Sequence, residues 1–390
     1  MLKASSLKAS SLKDAAAIVG IAETPFAKRL DGSERSLAAD VIIRACAAAG
    51  IDPSEIDGLS CYTMETSDET DIAKTVGTGD LTFFAQVNYG GGAGPGCVGL
   101  LAMAIATGQC NVGVAWRSRK RGSGQRPWAD AANPMRTPSM WSRPWGLLRP
   151  ADEIAMLWRR YMHEYGGTRD HLANVALTVR KMANNNPNAM MHNRTLTRDD
   201  YMDARWISEP LCLYDNCLET DGALACVLVS ADRAKDLAQK PVYVHAAAQG
   251  LGQQAHGMIN YWSDDPLHGA SWTAARRLFA NSDFAPADLD VAQIYDAFTP
   301  LIPLSLEGYG FCGRGEGAAF TDNGNIDLGG TLPINTSGGG LSEAYVHGFN
   351  LINEGVRQLR GTSYNQVDGA QSALVTAGEC VPTSALILRN

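Results

Sequence analysis

Two glycine-rich segments, each followed by an apolar stretch with helical spacing, are the first candidates for chemistry. Residues 87–92 (VNYGGG) precede CVGLLAMAIATG, and residues 334–340 (INTSGGG) precede FNLINEGVRQLRG. Glycine lets the backbone approach a ligand closely, and a helix N-terminus directs N–H groups at a negative oxygen. Neither loop has the G-x-G-x-x-G or Lys-Ser/Thr signature of a nucleotide site. The loops therefore predict an oxyanion site rather than a nucleotide site.

A basic run, RSRKRGSGQR, occupies residues 117–126. The segment from Arg117 to Arg121 has two interpretations. It is either a solvated loop or a set of contacts to the phosphates of an anionic ligand, because guanidinium groups match phosphate geometry.

Cysteine and histidine offer no metal site. The chain has 9 cysteines without a C-x-x-C pair, and its 7 histidines lack ligand spacing. Cys212 and Cys217 are interpreted as packing residues. With no secretory segment, free thiols in the cytoplasm are expected. The formal net charge of -8 argues against nucleic-acid binding, and no apolar run of about 18 residues predicts a membrane span.

The elements that must position the loops occur twice along the chain. Residues 51–59 (IDPSEIDGL) correspond to residues 284–292 (FAPADLDVA). Pro53 and Asp57 match Pro286 and Asp290 at a constant offset of 233 residues (286 − 53). The order strand, helix, strand, glycine loop, helix, strand recurs in both copies. It predicts an α/β protein with two similar halves and mostly parallel sheets covered by helices.

The predicted domain boundaries follow from this repeat. Residues 15–240 form the N-terminal half, with an insertion at residues 117–206, and residues 241–390 form the C-terminal half. The insertion is rich in Trp, Met, Arg and Asn and is expected to be a loop region that covers a site. Residues 1–14 carry KASSL twice and are expected to be a disordered leader or a tag.

The chain from residue 15 to 390 resembles the thiolase superfamily, and within it the sterol-carrier-protein-type and lipid-transfer-protein-like thiolases. The stretch at residues 307–348 carries most of the resemblance, with CLETDGALACVLVS from Cys217 and IYDAFT from Ile294. The resemblance implies a thiolase fold. In that fold two βαβαβαββ halves form a five-layered αβαβα arrangement, usually as a homodimer.

The chain departs from the thiolase pattern at the catalytic positions. The nucleophilic cysteine of N-x-x-C-A-x-G is replaced by Gly91 or Gly92, and the histidine of G-H-P by Tyr345. Tyr295 stands where the family has Asn or His before an acidic residue. A covalent acyl-enzyme cannot form by the usual route without a thiolate.

A second cysteine of the family is also missing. The late C-x-G motif reads T-A-G-E-C-V here, so Gly378 takes the cysteine's place and Cys380 is shifted along. Enolate stabilisation without a nucleophile leaves aldol chemistry, for which Tyr295 and Tyr345 can serve as acid and base.

This pattern resembles the lipid-transfer-protein-like aldolases of bacterial steroid degradation. The resemblance implies retro-aldol cleavage of a 17-hydroxy steroid side-chain CoA thioester into a 17-ketosteroid and propionyl-CoA, without a cofactor. It also implies a small OB-fold partner and an α2β2 assembly. Supporting or oxyanion roles are expected for Gly91, Gly92, Asp296, His347 and Gly378, and CoA contacts for Arg119, Lys120 and Arg121.

Two alternatives stay open at this point. One is a non-catalytic thiolase-fold protein that binds acyl-CoA or lipid. The other is an acyltransferase with a displaced nucleophile, Cys97 or Cys380. His347 is expected on the opposite side from Tyr345 if the segment is extended.

Overall fold

The computed structural model describes residues 12–88, 90–124, 139–253, 258, 263–379 and 381–390. Of the expected leader, residues 1–11 lie outside the described residues. The strands are β1 (Ala16–Glu23), β2 (Gly58–Tyr62), β3 (Phe83–Val87), β4 (Val112–Lys120), β5 (Trp206–Ser208), β6 (Leu211–Cys212), β7 (Asp221–Ser230), β8 (Val242–Gly250), β9 (Val291–Gln293), β10 (Ser372–Thr376) and β11 (Thr383–Arg389).

The helices lie between these strands, and around both glycine loops they follow the predicted order. They are α1 (Glu34–Ala49), α2 (Glu69–Val76), α3 (Gly94–Ala106), α4 (Ser139–Ser142), α5 (Pro150–Tyr165), α6 (Arg169–Asn185), α7 (Arg198–Met202), α8 (Ala231–Ala234), α9 (Ala270–Ala280), α10 (Leu301–Gly308), α11 (Gly317–Phe320) and α12 (Phe349–Arg360). A π-helical turn covers Gly339–Glu343. The strands and helices predicted on either side of both glycine loops are confirmed.

The halves join in one sheet of nine strands with the order β3-β2-β4-β7-β1-β8-β11-β10-β9. β2 pairs in parallel with β4, as β9 does with β10. β1 pairs antiparallel with β7, as β8 does with β11. The two halves meet where β1 pairs with β8. The predicted duplication is therefore visible in the strand order. The expectation of mostly parallel sheets is wrong, because five of the eight neighbouring strand pairs in this sheet of the described residues are antiparallel.

One pair of matched residues shows why the repeated turn has a repeated sequence. The Asp57 carboxylate accepts hydrogen bonds from the backbone N–H groups of Asn111 and Val112, where β4 begins. The Asp290 carboxylate accepts from Gln371 and Ser372, where β10 begins. In each half the carboxylate of the aspartate before one strand accepts hydrogen bonds from the first backbone N–H groups of the parallel neighbour, and so holds the start of that strand.

Helices form three layers: one outside the strands of each half, and one, which includes α3 and α12, between the strands of the two halves. α3 contacts strands of both halves and α12, while α1 packs outside β1 and β7, and α9 outside β8 and β11. α3 has buried residues on all its faces, from Gly94 to Ile105. A helix that is apolar all round belongs in the interior. The expected αβαβα layering is confirmed, and both glycine loops lead into its central helices.

The insertion differs from the expectation of a loop region. Its described part contains the amphipathic helices α5 and α6. Helix α5 buries Trp158 and Tyr161, and helix α6 buries Leu172 and Val179. The aromatic and apolar residues of the segment recur at helical spacing and pack against the core, so the segment folds on the domain. Among the described residues, no helix is long and apolar enough to cross a membrane.

The structure contradicts one of the two interpretations of the basic run, the solvated loop. β4 extends through Lys120, so the segment that begins at Arg117 continues a strand and is not a solvated loop. Arg117 is completely buried. The register of β4 against β7 pairs Arg117 with Leu224 and Lys120 with Asp221, and this long ladder holds the charged segment in the sheet.

Candidate active site

Two tyrosine hydroxyls meet at the centre of the molecule. The Tyr295 and Tyr345 hydroxyl oxygens are 2.5 Å apart, and their ring centroids are 6.1 Å apart at 58°. The two side chains are 4% and 7% exposed. The structure thus brings the two predicted residues together, and each phenol is the hydrogen-bond partner of the other. Their catalytic role remains a prediction.

Tyr295 is positioned from the end of β9. Its backbone N–H donates to Thr376 Oγ1 at 3.1 Å, at the end of neighbouring β10. Asn335 of the second glycine loop exchanges two hydrogen bonds with the backbone of Ile294, both of 2.7 Å. Asn335 has φ of 45°, a left-handed conformation that asparagine tolerates well. The loop thus fixes the backbone of Ile294, the residue before Tyr295.

Asp296 occupies the N–H groups that the second glycine loop was expected to offer a ligand. Its carboxylate accepts from Gly340 N at 2.7 Å and Leu341 N at 3.3 Å. A Cβ on Gly339, whose φ is 57°, would lie 2.2 Å from Asp296 Oδ2. Burial raises the pKa of Asp296 to about 6, against the lowering effect of these N–H bonds. The expectation that this loop binds an oxyanion of a ligand is therefore wrong, because the Asp296 carboxylate accepts the hydrogen bonds of its N–H groups.

Tyr345 follows the π-helical turn that Asp296 holds. Its backbone N–H donates to Thr220 Oγ1 at 3.0 Å, and the Thr220 hydroxyl donates back to the Tyr345 carbonyl at 3.1 Å. The turn and this reciprocal pair orient the side chain toward Tyr295. Thr220 and Asn335 were missed by the sequence analysis, although an asparagine three residues before a glycine run is a recognisable turn signal.

The first glycine loop leaves room for the phenols. A Cβ on Gly91 would lie 2.4 Å from the Tyr295 hydroxyl oxygen, whereas one on Gly92 would lie 1.7 Å from the Pro382 carbonyl oxygen. The Gly378 N–H donates to the Gly91 carbonyl at 2.8 Å. Of the two candidates for the missing nucleophile position, Gly91 is therefore the one that faces the tyrosines, and a side chain there would displace Tyr295.

His347 lies beside the phenols, not opposite them. Its φ is 52°, so the segment is not extended. The imidazole ring stands at 88° to the Tyr345 ring with 5.4 Å between centroids. Its Nδ1 is 2.7 Å from Arg117 Nη2. Burial, followed by the nearby arginines, holds the pKa of His347 well below its usual range.

Arg121 supplies a positive charge over the tyrosine pair. Its guanidinium carbon is 5.4 Å from the centroid of the Tyr345 ring. Burial raises the pKa of both Tyr295 and Tyr345 above the usual range, and Arg121 acts in the opposite direction on each. Both phenols are therefore protonated at neutral pH, with one cation placed to stabilise developing negative charge.

The other two basic candidates have partners within the chain. Arg119 Nη1 is 3.6 Å from Glu34 Oε1. Lys120 Nζ donates to the carbonyls of Leu30 and Gly32 at 2.6 and 2.8 Å. Their predicted contact with CoA phosphates remains a prediction.

The candidate displaced nucleophile Cys97 lies within α3 and is fully buried. Burial raises the pKa of its thiol to about 12, which disfavours the thiolate that nucleophilic catalysis needs. Cys212 packs in the core, and burial raises the pKa of Cys217 to about 12 as well. Cys380 lies outside the described residues. Within the described ranges, no group of His, Cys, Asp and Glu is arranged to hold a metal ion.

Comparison with known proteins supports the same class. Residues 252–389 match the thiolase C-terminal domain-like family. The chain is 46% identical over 385 residues to 17-hydroxy-3-oxo-4-pregnene-20-carboxyl-CoA lyase of Mycobacterium tuberculosis, which covers 97% of this chain and 100% of that protein. It is 45% identical over 389 residues to the steroid side-chain-cleaving aldolase of Thermomonospora curvata, with 97% and 99% covered. The solved structure of an Ltp2-ChsH2(DUF35) aldolase superposes with a TM-score of 0.94 at 45% identity, covering 97% of this chain and 99% of that one.

The fold and these matches together define a member of the thiolase superfamily, and its candidate site places Gly91 against the Tyr295 hydroxyl. The identity over nearly the whole chain then gives the narrower assignment. This chain belongs to the steroid side-chain-cleaving aldolases and is a carbon–carbon lyase. The non-catalytic alternative is set aside, and the predicted enzyme class is confirmed.

Proposed function

We propose that this enzyme cleaves the CoA thioester of a 17-hydroxy steroid side chain into a 17-ketosteroid and propionyl-CoA by acid–base catalysis at Tyr295 and Tyr345. The observation that carries the proposal is the 2.5 Å contact between the two phenols beside Gly91. The two relatives named above are a lyase for such a thioester and a steroid side-chain-cleaving aldolase.

The hydrogen-bonded phenols can carry one proton from substrate oxygen to substrate carbon. One phenol accepts the proton of the β-hydroxyl while its own proton passes to the other. The Cα–Cβ bond breaks, its electron pair enters the thioester enolate, and the carbonyl of the ketone forms. In the same relay the second phenol gives its own proton to Cα, so neither phenol holds two protons at any point. The proton count closes without a cofactor, and Tyr295 and Tyr345 can take the two roles in either order.

Electrostatics favours a relay over a free tyrosinate base. Burial raises the pKa of both phenols, so full ionisation is costly, and Arg121 offsets only part of that cost. A concerted transfer through the 2.5 Å contact avoids a buried anion. Arg121 would stabilise whichever phenol carries partial negative charge.

The proposed assembly is a homodimer with a small OB-fold partner, α2β2 overall. β3 forms one end of the sheet, and Phe84 on it is 66% exposed, which suits strand pairing with a second copy. Trp141 and Trp145 of the insertion are 66% and 85% exposed and suit an apolar partner surface. The similar Ltp2-ChsH2(DUF35) aldolase pairs Ltp2 with a second component, ChsH2. Cytoplasmic location is also proposed.

The decisive experiment is turnover of 17-hydroxy-3-oxo-4-pregnene-20-carboxyl-CoA by the full chain, with and without the OB-fold partner. Chromatography should detect a 17-ketosteroid and propionyl-CoA in equal amounts. Tyr295→Phe and Tyr345→Phe should each lower kcat by about 10²–10⁴-fold, the range for loss of a general acid or base. Tyr309→Phe is the matched control, because Tyr309 is equally buried, at the end of α10, and should keep activity.

The outcomes separate this mechanism from the acyltransferase alternative. A stable acyl-enzyme mass shift, or inactivation by thiol-blocking reagents, would favour a displaced cysteine. Full activity in folded Tyr295→Phe and Tyr345→Phe variants would refute the tyrosine mechanism.

A further inference from the structure

A completely buried arginine lies next to the tyrosine pair. Arg117 is 0% exposed in the middle of β4, and its Nη1 is 2.9 Å from Glu65 Oε2. The Glu65 carboxylate also accepts from Ser118 N at 3.1 Å and from the Ser67 hydroxyl at 3.0 Å. A buried charge is tolerated only when it is paired and hydrogen-bonded, so this pair is a costly and well-satisfied arrangement.

Two other nitrogens of Arg117 are directed at one atom. Arg117 Nη2 and Nε are 2.7 and 3.2 Å from His347 Nδ1. A guanidinium only donates hydrogen bonds, so Nδ1 must be the acceptor and cannot carry a proton. In the neutral ring the proton then resides on Nε2. The Arg117 contact thus selects one tautomer of His347.

The same surroundings keep the imidazole ring of His347 uncharged. The charged groups acting on His347 are Arg117, Arg119 and Arg121, all from β4 and the residue after it, and each lowers the pKa of the imidazole in addition to the effect of burial. The neighbouring rings are the phenols of Tyr62 and Tyr345. A second proton on His347 would lie against a guanidinium, so the imidazole stays uncharged at neutral pH.

The backbone holds this ring at the reacting end of the site. The φ of 52° at His347 is uncommon for a residue with a side chain, and such strain clusters at functional sites. The Tyr62 hydroxyl donates to the His347 carbonyl at 3.2 Å and secures the turn. A Cβ on Gly90 would lie 3.0 Å from His347 Cε1, so the imidazole contacts the first glycine loop as well as Tyr345.

We infer that His347 is a further catalytic residue of the proposed aldolase, donating its Nε2–H to the thioester oxygen of the substrate, and that Arg117, held by Glu65, is the positioning residue that sets this tautomer. The inference rests on the proposed function. As Cα–Cβ cleavage pushes an electron pair into the thioester, negative charge grows on its oxygen. A fixed, uncharged donor stabilises that enolate without giving up its proton, as preorganised donors do in other enzymes.

The tautomer can be measured on the wild-type enzyme without substrate. Enzyme labelled with ¹⁵N-histidine is observed through two-bond ¹H–¹⁵N correlations between about pH 6 and 9, and the His347 signals are assigned by their loss in His347→Asn. Asparagine is chosen because it tolerates φ above zero. The expected result is an unprotonated Nδ1 and a protonated Nε2 throughout. A protonated Nδ1, or titration of His347 within this range, overturns the inference.

Kinetics tests the donor role. His347→Asn should lower kcat by about 10²–10³-fold while KM changes by less than about threefold, because the bond strengthens mainly in the transition state. The exposed His163→Asn in α5 is the control and should match wild type. A His347→Asn variant that folds and keeps a kcat within about threefold of wild type refutes the role.

Arg117→Gln tests the positioning role separately. It removes the guanidinium that fixes Nδ1 as an acceptor, so the ¹⁵N spectrum of His347 should show protonated Nδ1 as well as protonated Nε2, and kcat should fall while KM changes little. An unchanged tautomer in folded Arg117→Gln contradicts the positioning role. If this variant does not fold, the tautomer measured on wild type still decides. Absence of retro-aldol turnover in wild type would instead count against the proposed function, whatever the tautomer.

Discussion

Gly91→Ala is the substitution with the clearest expected effect on chemistry. The new Cβ would lie 2.4 Å from the Tyr295 hydroxyl oxygen and 2.8 Å from Tyr295 Cζ. Since non-bonded heavy atoms need about 3.5 Å, the hydroxyl must move by about 1 Å. That movement breaks the 2.5 Å contact with Tyr345.

The magnitude follows from the displacement. A misplacement of about 1 Å can cost about 10² in rate. In free energy this is about 2.7 kcal/mol of transition-state stabilisation. The obstructed atom is the end of a side chain, so Tyr295 can turn aside and the fold should survive. We therefore expect kcat to fall about 100-fold with little change in melting temperature.

The adjacent glycine provides an informative contrast. A Cβ on Gly92 would lie 1.7 Å from the Pro382 carbonyl oxygen, which is backbone and cannot turn away. Gly92→Ala should therefore destabilise the fold by about 1–3 kcal/mol, the usual cost of overpacking. Gly252→Ala is the control, because a Cβ there meets nothing within 4 Å.

The assay pairs steady-state kinetics on the steroid CoA thioester with thermal unfolding followed by circular dichroism. Gly91→Ala with wild-type kcat and an unchanged melting temperature would refute the argument that this glycine exists to admit the Tyr295 hydroxyl. A large loss of stability in Gly91→Ala, equal to that in Gly92→Ala, would also refute it.

Three further predictions concern charge and ionisation. Arg121→Met should lower kcat about tenfold, since a cation over an aromatic ring is worth about 0.5–2 kcal/mol; unchanged kcat would contradict the electrostatic role. Cys97→Ser should keep retro-aldol activity, because burial raises the pKa of the thiol to about 12; lost activity in a folded variant would contradict this. Burial raises the pKa of Glu379 to about 8, above about 4.3 in the unfolded chain, so its contribution to stability is lost as pH rises between these values. Glu379→Gln should flatten the dependence of melting temperature on pH over that interval, and an unchanged slope would be the contrary result.

Local patterns in the sequence were sufficient for the elements around the two glycine loops and their order, but not for the helices of the insertion. The apolar stretch after the first glycine loop predicts α3, and Asp57 and Asp290 mark the same turn in both halves. The basic segment at Arg117 was misjudged because charge alone does not reveal a buried partner. Its partner Glu65 lies 52 residues away in the chain.

The sequence by itself determined that the chain is a doubled α/β protein, because that pattern depends on residue type and spacing, which are local. Its resemblance to the thiolase superfamily implied glycine at the nucleophile position and tyrosines at two other catalytic positions. Only the tertiary structure decided that Gly91 rather than Gly92 faces the site, that Tyr295 and Tyr345 touch, and that Arg117 reaches His347. These contacts join residues 50 and 230 positions apart. They depend on how the sheet and the central helices pack, because side-chain distances across a core are set by all the layers together.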